Sequence, residues 1–80
     1  MLPKIDLPMG GLPEFQWTIR RPDGSILAAA DSNRIVADFD VDGEHVLEIQ
    51  WSDTLQTDCY RVEVCEVEIL LYPEPMGKAL

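Results

Sequence analysis

Three aspartates at alternate positions, followed by a glycine, form the pattern in this chain most typical of a metal site. Asp38, Asp40 and Asp42 with Gly43 match the opening of a calcium-binding loop. The complete loop needs a bidentate glutamate at its twelfth position, where this chain has Ile49. In an extended strand Asp38 and Asp40 project about 6.6–6.8 Å apart, too far to share an ion unless the chain curls. Two interpretations stay open: a solvated acidic face and a weak, non-helical calcium site.

The one histidine, His45, is the candidate general base. That role needs a nucleophile and an orienting carboxylate, whereas the residue pattern turns His45 inward, beside Leu47. A satisfied, semi-buried core histidine is the interpretation that the pattern favours. Gly10 and Gly11 lie between prolines and open no helix, so they do not predict a phosphate-binding loop. We therefore expect a chain that is not an enzyme and needs no cofactor.

The two cysteines, Cys59 and Cys65, are expected to remain reduced. Both lie in or beside a strand-like run over residues 60–72. Extended backbone separates their Cα atoms by about 20 Å, whereas a disulfide requires about 4.4–6.8 Å. One histidine and two distant cysteines also fall short of the four closely spaced ligands of a zinc site.

Length and charge restrict the expected partners. Eighty residues make one small domain, and 15 acidic residues against six basic ones give a formal charge of −9. Such a field repels phosphate backbones and anionic membranes, which favours a protein partner or a second copy of the chain. No basic segment precedes an apolar one at the amino terminus, and no run approaches membrane-spanning length. The expected location is the cytoplasm or a virion.

Alternating side chains predict the antiparallel strands that position these residues. Residues 43–53 lead from a turn glycine into a strict alternation, which is typical of a half-buried strand. Four further strands are predicted over residues 15–20, 25–30, 35–39 and 60–72. The side chains assigned to the core are Trp17, Ile19, Phe39, Leu47, Ile49, Trp51, Val62 and Val64. The two tryptophans are expected to form a core pair rather than a ligand platform.

Turn chemistry and a change of phase organise these strands. Arg21-Pro22-Asp23-Gly24 and Asp42-Gly43 each predict a hairpin. Within residues 60–72 the apolar positions change from even to odd numbers near Cys65-Glu66. One straight strand cannot bury both sets, so a β-bulge, or a crossing to another sheet or subunit, is predicted there. The spacing of Glu63, Glu66 and Glu68 predicts one exposed strand face.

Prolines set both ends of the chain apart. Leu-Pro recurs at residues 2–3, 7–8 and 12–13, which excludes a helix or a central strand over residues 1–14. This segment is interpreted either as a flexible tail or as an extended arm that contacts a neighbouring surface. The predicted contact residues are Leu2, Ile5, Leu7 and Leu12. Residues 73–80 form a similar tail, which leaves residues 15–72 as the folded domain.

The best-patterned strand resembles a family motif. Gly43-x-His45-x-Leu47-x-Ile49-x-Trp51-x-Asp53 is similar to the G-x-Y-x-V-x-L-x-V-x-D strand of PKD-type and related immunoglobulin-like domains. Trp17-Thr18-Ile19 with Asp23-Gly24-Ser25 looks like their tryptophan strand and its following turn, and residues 60–64 resemble their closing strand. The resemblance covers residues 15–69. It implies an all-β fold, a small antiparallel immunoglobulin-like β-sandwich used in adhesion, decoration or assembly.

Two departures from that family bear on the expected architecture. His45 stands where the family carries a corner tyrosine. The family also has two strands before its tryptophan strand, and here residues 1–14 are broken by prolines. We therefore expect an incomplete, five-stranded sandwich whose open edge a partner, or the arm of a second copy, covers.

These expectations predict a non-enzymatic structural or interaction protein. The most specific hypothesis is a small assembly component, such as a phage capsid-decoration or tail-associated protein, that forms a homo-oligomer or adds to a lattice. A second hypothesis is an acidic inhibitor that occupies a nucleic-acid-binding surface, as anti-restriction and anti-CRISPR proteins do. The acidic residues favour it, although they are scattered along the chain. A third is an adhesion or carbohydrate-binding module.

Overall fold

Seven strands and no helix make up the part of the chain that the structure describes. The computed structural model describes residues 2–10, 14–31 and 33–73. In chain order the strands are β1 (Lys4–Pro8), β2 (Phe15–Arg20), β3 (Ile26–Ala30), β4 (Arg34–Asp38), β5 (Gly43–Trp51), β6 (Thr57–Val64) and β7 (Ile69–Pro73). Within these residues there is accordingly no helix long and apolar enough to cross a membrane.

The strands form two antiparallel sheets packed face to face. The larger sheet has the order β3-β2-β5-β6-β7, and the smaller sheet pairs β1 with β4. Along the strands that cover the core, every second side chain faces the opposite sheet. In β5 the buried positions are residues 45, 47 and 49, as the alternation in its sequence predicts. The fold of the described residues is therefore an all-β antiparallel sandwich, and the prediction of fold class is confirmed.

The hydrophobic core lies between the sheets and takes side chains from both. Ile35 belongs to the smaller sheet, whereas Ile19 and Val62 belong to the larger, and all three are 0% exposed. Burying a side chain of this size contributes about 1.5–3 kcal/mol. Among the side chains assigned to the core from the sequence, the structure buries Trp17, Ile19, Phe39, Leu47, Ile49, Val62 and Val64, and partly buries Trp51.

The amino-terminal segment contains a strand of the sandwich, which corrects the expected boundary at residue 15. β1 pairs with β4, from Lys4 opposite Asp38 to Pro8 opposite Arg34. Ile5 is 5% exposed and belongs to the core. Proline is compatible with this strand because Pro8 is its last residue and β1 is an edge strand, where a missing N–H donor is tolerated.

The change of phase after Val64 is a hairpin turn, which corrects the predicted bulge or crossing. β6 ends at Val64 and β7 begins at Ile69, opposite it. The Cys65 N–H donates to the Glu68 carbonyl at 3.0 Å and closes the turn. Because the chain reverses direction, apolar side chains return to the inner face without an inserted residue. The long predicted strand is therefore two strands, and with β1 the described total is seven rather than five.

The chain passes between the two sheets three times, and the first passage leads from β1 to β2. Residues 31–33 lead from β3 to β4, and residues 39–42 lead from β4 back to β5. The predicted hairpin at Asp42-Gly43 is wrong, because β4 and β5 lie in different sheets. The glycine is still needed there, since its φ is 114° and an added Cβ would lie 3.1 Å from Pro22 Cγ.

The turn between β2 and β3 has the predicted chemistry. The Arg21 N–H donates to the Ser25 carbonyl at 2.7 Å, and Gly24 adopts a φ of 91°. The Ser25 hydroxyl and N–H donate to the Asp23 carboxylate at 2.6 and 2.9 Å. These hydrogen bonds from Ser25 hold the pKa of Asp23 below its usual value. The predicted hairpin from β2 into β3 is confirmed.

Candidate functional site

The three aspartates of the calcium pattern do not converge on one point. Asp38 and Asp42 are exposed. Both carboxylate oxygens of Asp40 instead accept hydrogen bonds from the Arg21 guanidinium, at 3.1 Å from Nε and 2.9 Å from Nη2. These bonds hold the pKa of the Asp40 carboxyl below its usual value. Among the described residues no group of three or more histidines, cysteines, aspartates or glutamates could hold a metal ion.

His45 is fully buried and packs in the core. Its Nδ1 lies 3.1 Å from the Gly43 carbonyl. Because a carbonyl can only accept, this contact assigns the ring proton to Nδ1. The ring meets Phe39 edge to face, with centroids 4.8 Å apart. Within the described structure Nε2 has no hydrogen-bond partner. The expected satisfied, semi-buried histidine is thus a fully buried one with a single paired nitrogen.

The two tryptophans both pack at the core, on neighbouring strands. The Trp51 ring lies 5.1 Å from the Phe15 ring between centroids, and Trp51 Nε1–H donates to Asp58 at 2.8 Å. Trp17 is 5% exposed and stands opposite Ile49 in the sheet. Both rings belong to the inner face of the larger sheet, where they stabilise the packing of the sandwich.

The outer face of the larger sheet is polar. A shallow depression on it is lined by Gln16, Thr18, Glu48, Gln50 and Thr57. Tyr72 is the one aromatic side chain that the described residues place on this face. Arg61 covers its ring, with the guanidinium carbon 4.7 Å from the centroid. The described residues of this face therefore provide no open aromatic ring against which a sugar could stack.

The cysteines do not form a disulfide, in agreement with the prediction from the sequence. Cys59 lies within β6 and is partly buried, whereas Cys65 is exposed in the turn that follows. The extended backbone of β6 keeps the two residues apart, as the spacing argument required.

The glutamates expected to share one strand face are separated by the turn after β6. Glu63 lies on the outer face of β6, whereas Glu66 and Glu68 are exposed within the turn. Glu44 stands opposite Glu63 in the sheet. The Nε of Arg61 lies 3.5 Å from Glu44 and 3.6 Å from Glu63. Four carboxylates and one guanidinium, which we call the acidic corner, therefore gather where β7 begins.

β7 is an apolar edge of the larger sheet. Among the described strands it pairs with β6 alone, and its sequence, Ile-Leu-Leu-Tyr-Pro, carries no charge. On the inner face Val62 of β6 is fully buried, while Leu71, directly opposite it on β7, is 42% exposed. On the outer face Leu70 and Tyr72 are 36% and 37% exposed. The cover provided by the smaller sheet therefore ends within β7, where Ile69 still packs against the core and Leu71 is exposed.

The residues predicted to contact a partner lie mostly within the sandwich itself. Ile5 is buried in the core, and Leu2 and Leu7 pack against it. Leu12 lies outside the described residues. The apolar character of this segment is explained by packing within the chain, because β1 covers part of the core.

The exposed apolar residues of β7 were not singled out from the sequence. Their signal is the run of four apolar residues at positions 69–72, which abandons the alternation of a strand with one buried face. The prediction of a single strand over residues 60–72 hides this run, because the run then counts as the end of a longer strand.

Comparison with protein-family models, curated proteins and solved structures found no match. Asp40 and the two tryptophans are engaged in an ion pair and in packing, and His45 lies inside the core. Among the described strands, in contrast, none pairs with the free edge of β7, and its apolar side chains are exposed on both faces.

Proposed function

We propose that this chain is a non-enzymatic interaction protein that joins a larger protein assembly through the edge of β7. The observation that carries the proposal is the contrast between Val62 and Leu71, which stand side by side with exposed fractions of 0% and 42%. Covering such apolar surface is favourable by about 25 cal/mol per Å². An unpaired edge strand is also a template for another strand, so backbone hydrogen bonds and apolar burial act together there.

The specific form of the proposal is a small assembly component, such as a phage capsid-decoration or tail-associated protein with an immunoglobulin-like sandwich. A chain of 80 residues buries a limited share of its own surface, so a neighbouring protein adds useful burial. The net charge of −9 disfavours direct contact with nucleic acid. A non-enzymatic role is supported by the engagement of Asp40 with Arg21 and of His45 with the core.

Solution mass tests this proposal in the native host, with the chain expressed at its natural level. We expect the protein to migrate well above its own 9.0 kDa. Leu71→Lys should return it to the monomer mass, because a lysine on an edge strand opposes strand addition. Ile26→Lys is the matched control, since Ile26 is 53% exposed on β3, the opposite edge strand of the larger sheet. Its mass should equal that of the unmodified chain.

Two results would contradict the proposal. One is a monomer mass for the unmodified chain, both in the host extract and, by light scattering, in buffer at two concentrations. The other is a Leu71→Lys variant that stays in the assembly. A circular-dichroism spectrum that is the same for all three proteins excludes unfolding as the cause of a change in mass.

A further inference from the structure

The acidic corner indicates what kind of partner the edge of β7 fits. We propose, resting on the function proposed above, that this edge binds an extended segment of a partner protein in which apolar and basic side chains alternate. The segment adds a strand beyond β7, its apolar side chains facing inward beside Leu71 and a basic side chain facing outward near the acidic corner.

The register of the sheet places the basic side chain. Glu44, Glu63 and Leu70 form one row across the outer face of β5, β6 and β7. An added strand continues this row, with its backbone about 10 Å from that of Glu63, which is two strand spacings. A lysine or arginine at that position reaches back over Leu70 toward the carboxylate. Glu66 and Glu68 lie in the turn at the same end of β7.

The local charge is not neutralised within the described chain. Arg61 is the cation of the acidic corner, and it is shared between Glu44 and Glu63 at 3.5 and 3.6 Å while it also covers the Tyr72 ring. The acidic corner thus holds four carboxylates and one guanidinium, and that guanidinium pairs with Glu44 and Glu63. The outward position of the added strand beside Tyr72 lies nearer Arg61, so an uncharged residue suits that position.

A second copy of the chain is a less suitable occupant than a basic strand. Antiparallel pairing of two β7 strands gives the acidic turn of each copy no cation to contact, because β7 carries no lysine or arginine. Each copy also brings a net charge of −9.

Nuclear magnetic resonance of the full ¹⁵N-labelled chain tests the proposal with a synthetic peptide, acetyl-Val-Lys-Val-Thr-Val-Lys-Val-amide. A matched peptide carries glutamate in place of lysine. We expect the basic peptide to shift amide signals of β6 and β7, and to bind at least about tenfold more tightly than the acidic one. Its affinity should fall as salt is raised, because the charges lie at the surface.

Variants of the chain and of the peptide separate charge from strand addition. Replacing Glu63, Glu66 and Glu68 together by glutamine should remove most of the preference for the basic peptide. Neutralising Glu14 to glutamine and Asp31 and Asp53 to asparagine is the matched control and should preserve it, because these exposed residues lie at the opposite end of the sheet. Methylation of one alternate set of peptide nitrogens should abolish binding, whereas methylation of the other set should not. Only one of the two sets of N–H groups faces β7.

Several outcomes overturn the proposal. These are equal affinity for the acidic peptide, shifts at β3 instead of β7, binding that ignores methylation, and concentration-dependent shifts of β7 without any peptide, which would identify a second copy as the occupant. Loss of the assembly in Leu71→Lys without a preference for the basic peptide defeats the chemistry assigned to the partner and leaves the proposed function intact. Persistence of the assembly in Leu71→Lys defeats the proposed function.

Discussion

At Leu55 the backbone adopts a conformation that its side chain opposes. Its φ is 58°, while the side chain is 80% exposed and so gains little from packing. The position matters to the loop between β5 and β6, since the Leu55 N–H donates to the Trp51 carbonyl at 3.0 Å. Left-handed backbone costs an L-residue about 1–2 kcal/mol.

Leu55→Gly is expected to raise the free energy of unfolding by about 0.5–1 kcal/mol. The substitution removes the left-handed penalty of about 1–2 kcal/mol and adds about 0.5–1 kcal/mol of backbone entropy in the unfolded chain. Urea unfolding measures the difference. Leu55→Ala, which keeps the Cβ, is the control and should change little. A less stable Leu55→Gly variant would show that the loop does not carry this strain.

His45→Phe is expected to leave the free energy of unfolding unchanged or to raise it by about 1 kcal/mol. The change loses the bond from Nδ1 to Gly43, worth about 0.5–1.5 kcal/mol, and removes the unpaired buried Nε2, which costs about 1–3 kcal/mol. The edge contact with Phe39 keeps its ring. His45→Ala should instead lose about 2–4 kcal/mol through the cavity it leaves. A large loss in His45→Phe, measured by urea unfolding, would mean that Nε2 is paired in solution.

At the scale of elements, β1 shows how a proline-flanked segment can still be structural. Its residues read as an arm because prolines lie near both ends, yet Ile5 and Leu7 face the core while Lys4 and Asp6 face outward. Pairing with β4 gives hydrogen-bond partners to the backbone groups of β1, because each proline removes only its own N–H donor.

Ile5→Ala distinguishes a strand from a free arm. We expect it to lower the free energy of unfolding by about 2–4 kcal/mol, because Ile5 is 5% exposed among core side chains. Lys4→Ala, on the outer face of the same strand, is the matched control and should stay within about 0.5 kcal/mol of the unmodified chain. Equal free energies of unfolding for the two variants, measured by chemical unfolding, would show that residues 1–14 are an arm rather than part of the folded domain.

Across the whole molecule, two bidentate ion pairs make stability depend on pH. Arg34 donates to Asp6 at 2.8 Å from both Nε and Nη2, and Arg21 holds Asp40 across the connection between the sheets. These hydrogen bonds hold the pKa of each aspartate below its usual value of 3.8. A carboxyl whose folded pKa is lowered stabilises the fold above its unfolded pKa, and that contribution is lost as the pH falls through the folded value.

Acidification should therefore lower the free energy of unfolding below about pH 5. Protonation of unpaired carboxylates relieves repulsion over the same range, so the informative quantity is the difference between variants. Asp40→Asn should flatten the acid slope measured by urea unfolding from about pH 7 to about pH 3. Asp42→Asn, which is exposed, is the control and should keep the original slope. Identical slopes for all three proteins would show that the pair with Arg21 is not formed in solution.

Much of the fold and little of the candidate site could be predicted from the sequence. Alternation is a property of one strand, so it assigned Leu47, Ile49 and Val62 to the inner face. The turn before Ser25 is equally local, because its hydrogen bonds join residues at most four positions apart. The acidic pattern at residues 38–42 was more ambiguous, since the decisive partner of Asp40 is Arg21, distant in sequence.

By itself the sequence determined the all-β class, the inner and outer faces of most strands and the turn between β2 and β3. The tertiary structure alone decided that β4 leaves its sequence neighbours to pair with β1, that residues 65–68 reverse the chain, and that Leu71 stays exposed. The physical reason is the distance along the chain over which each feature is determined. Side-chain direction repeats every two residues along one strand, whereas the exposure of an edge depends on where a distant second sheet ends.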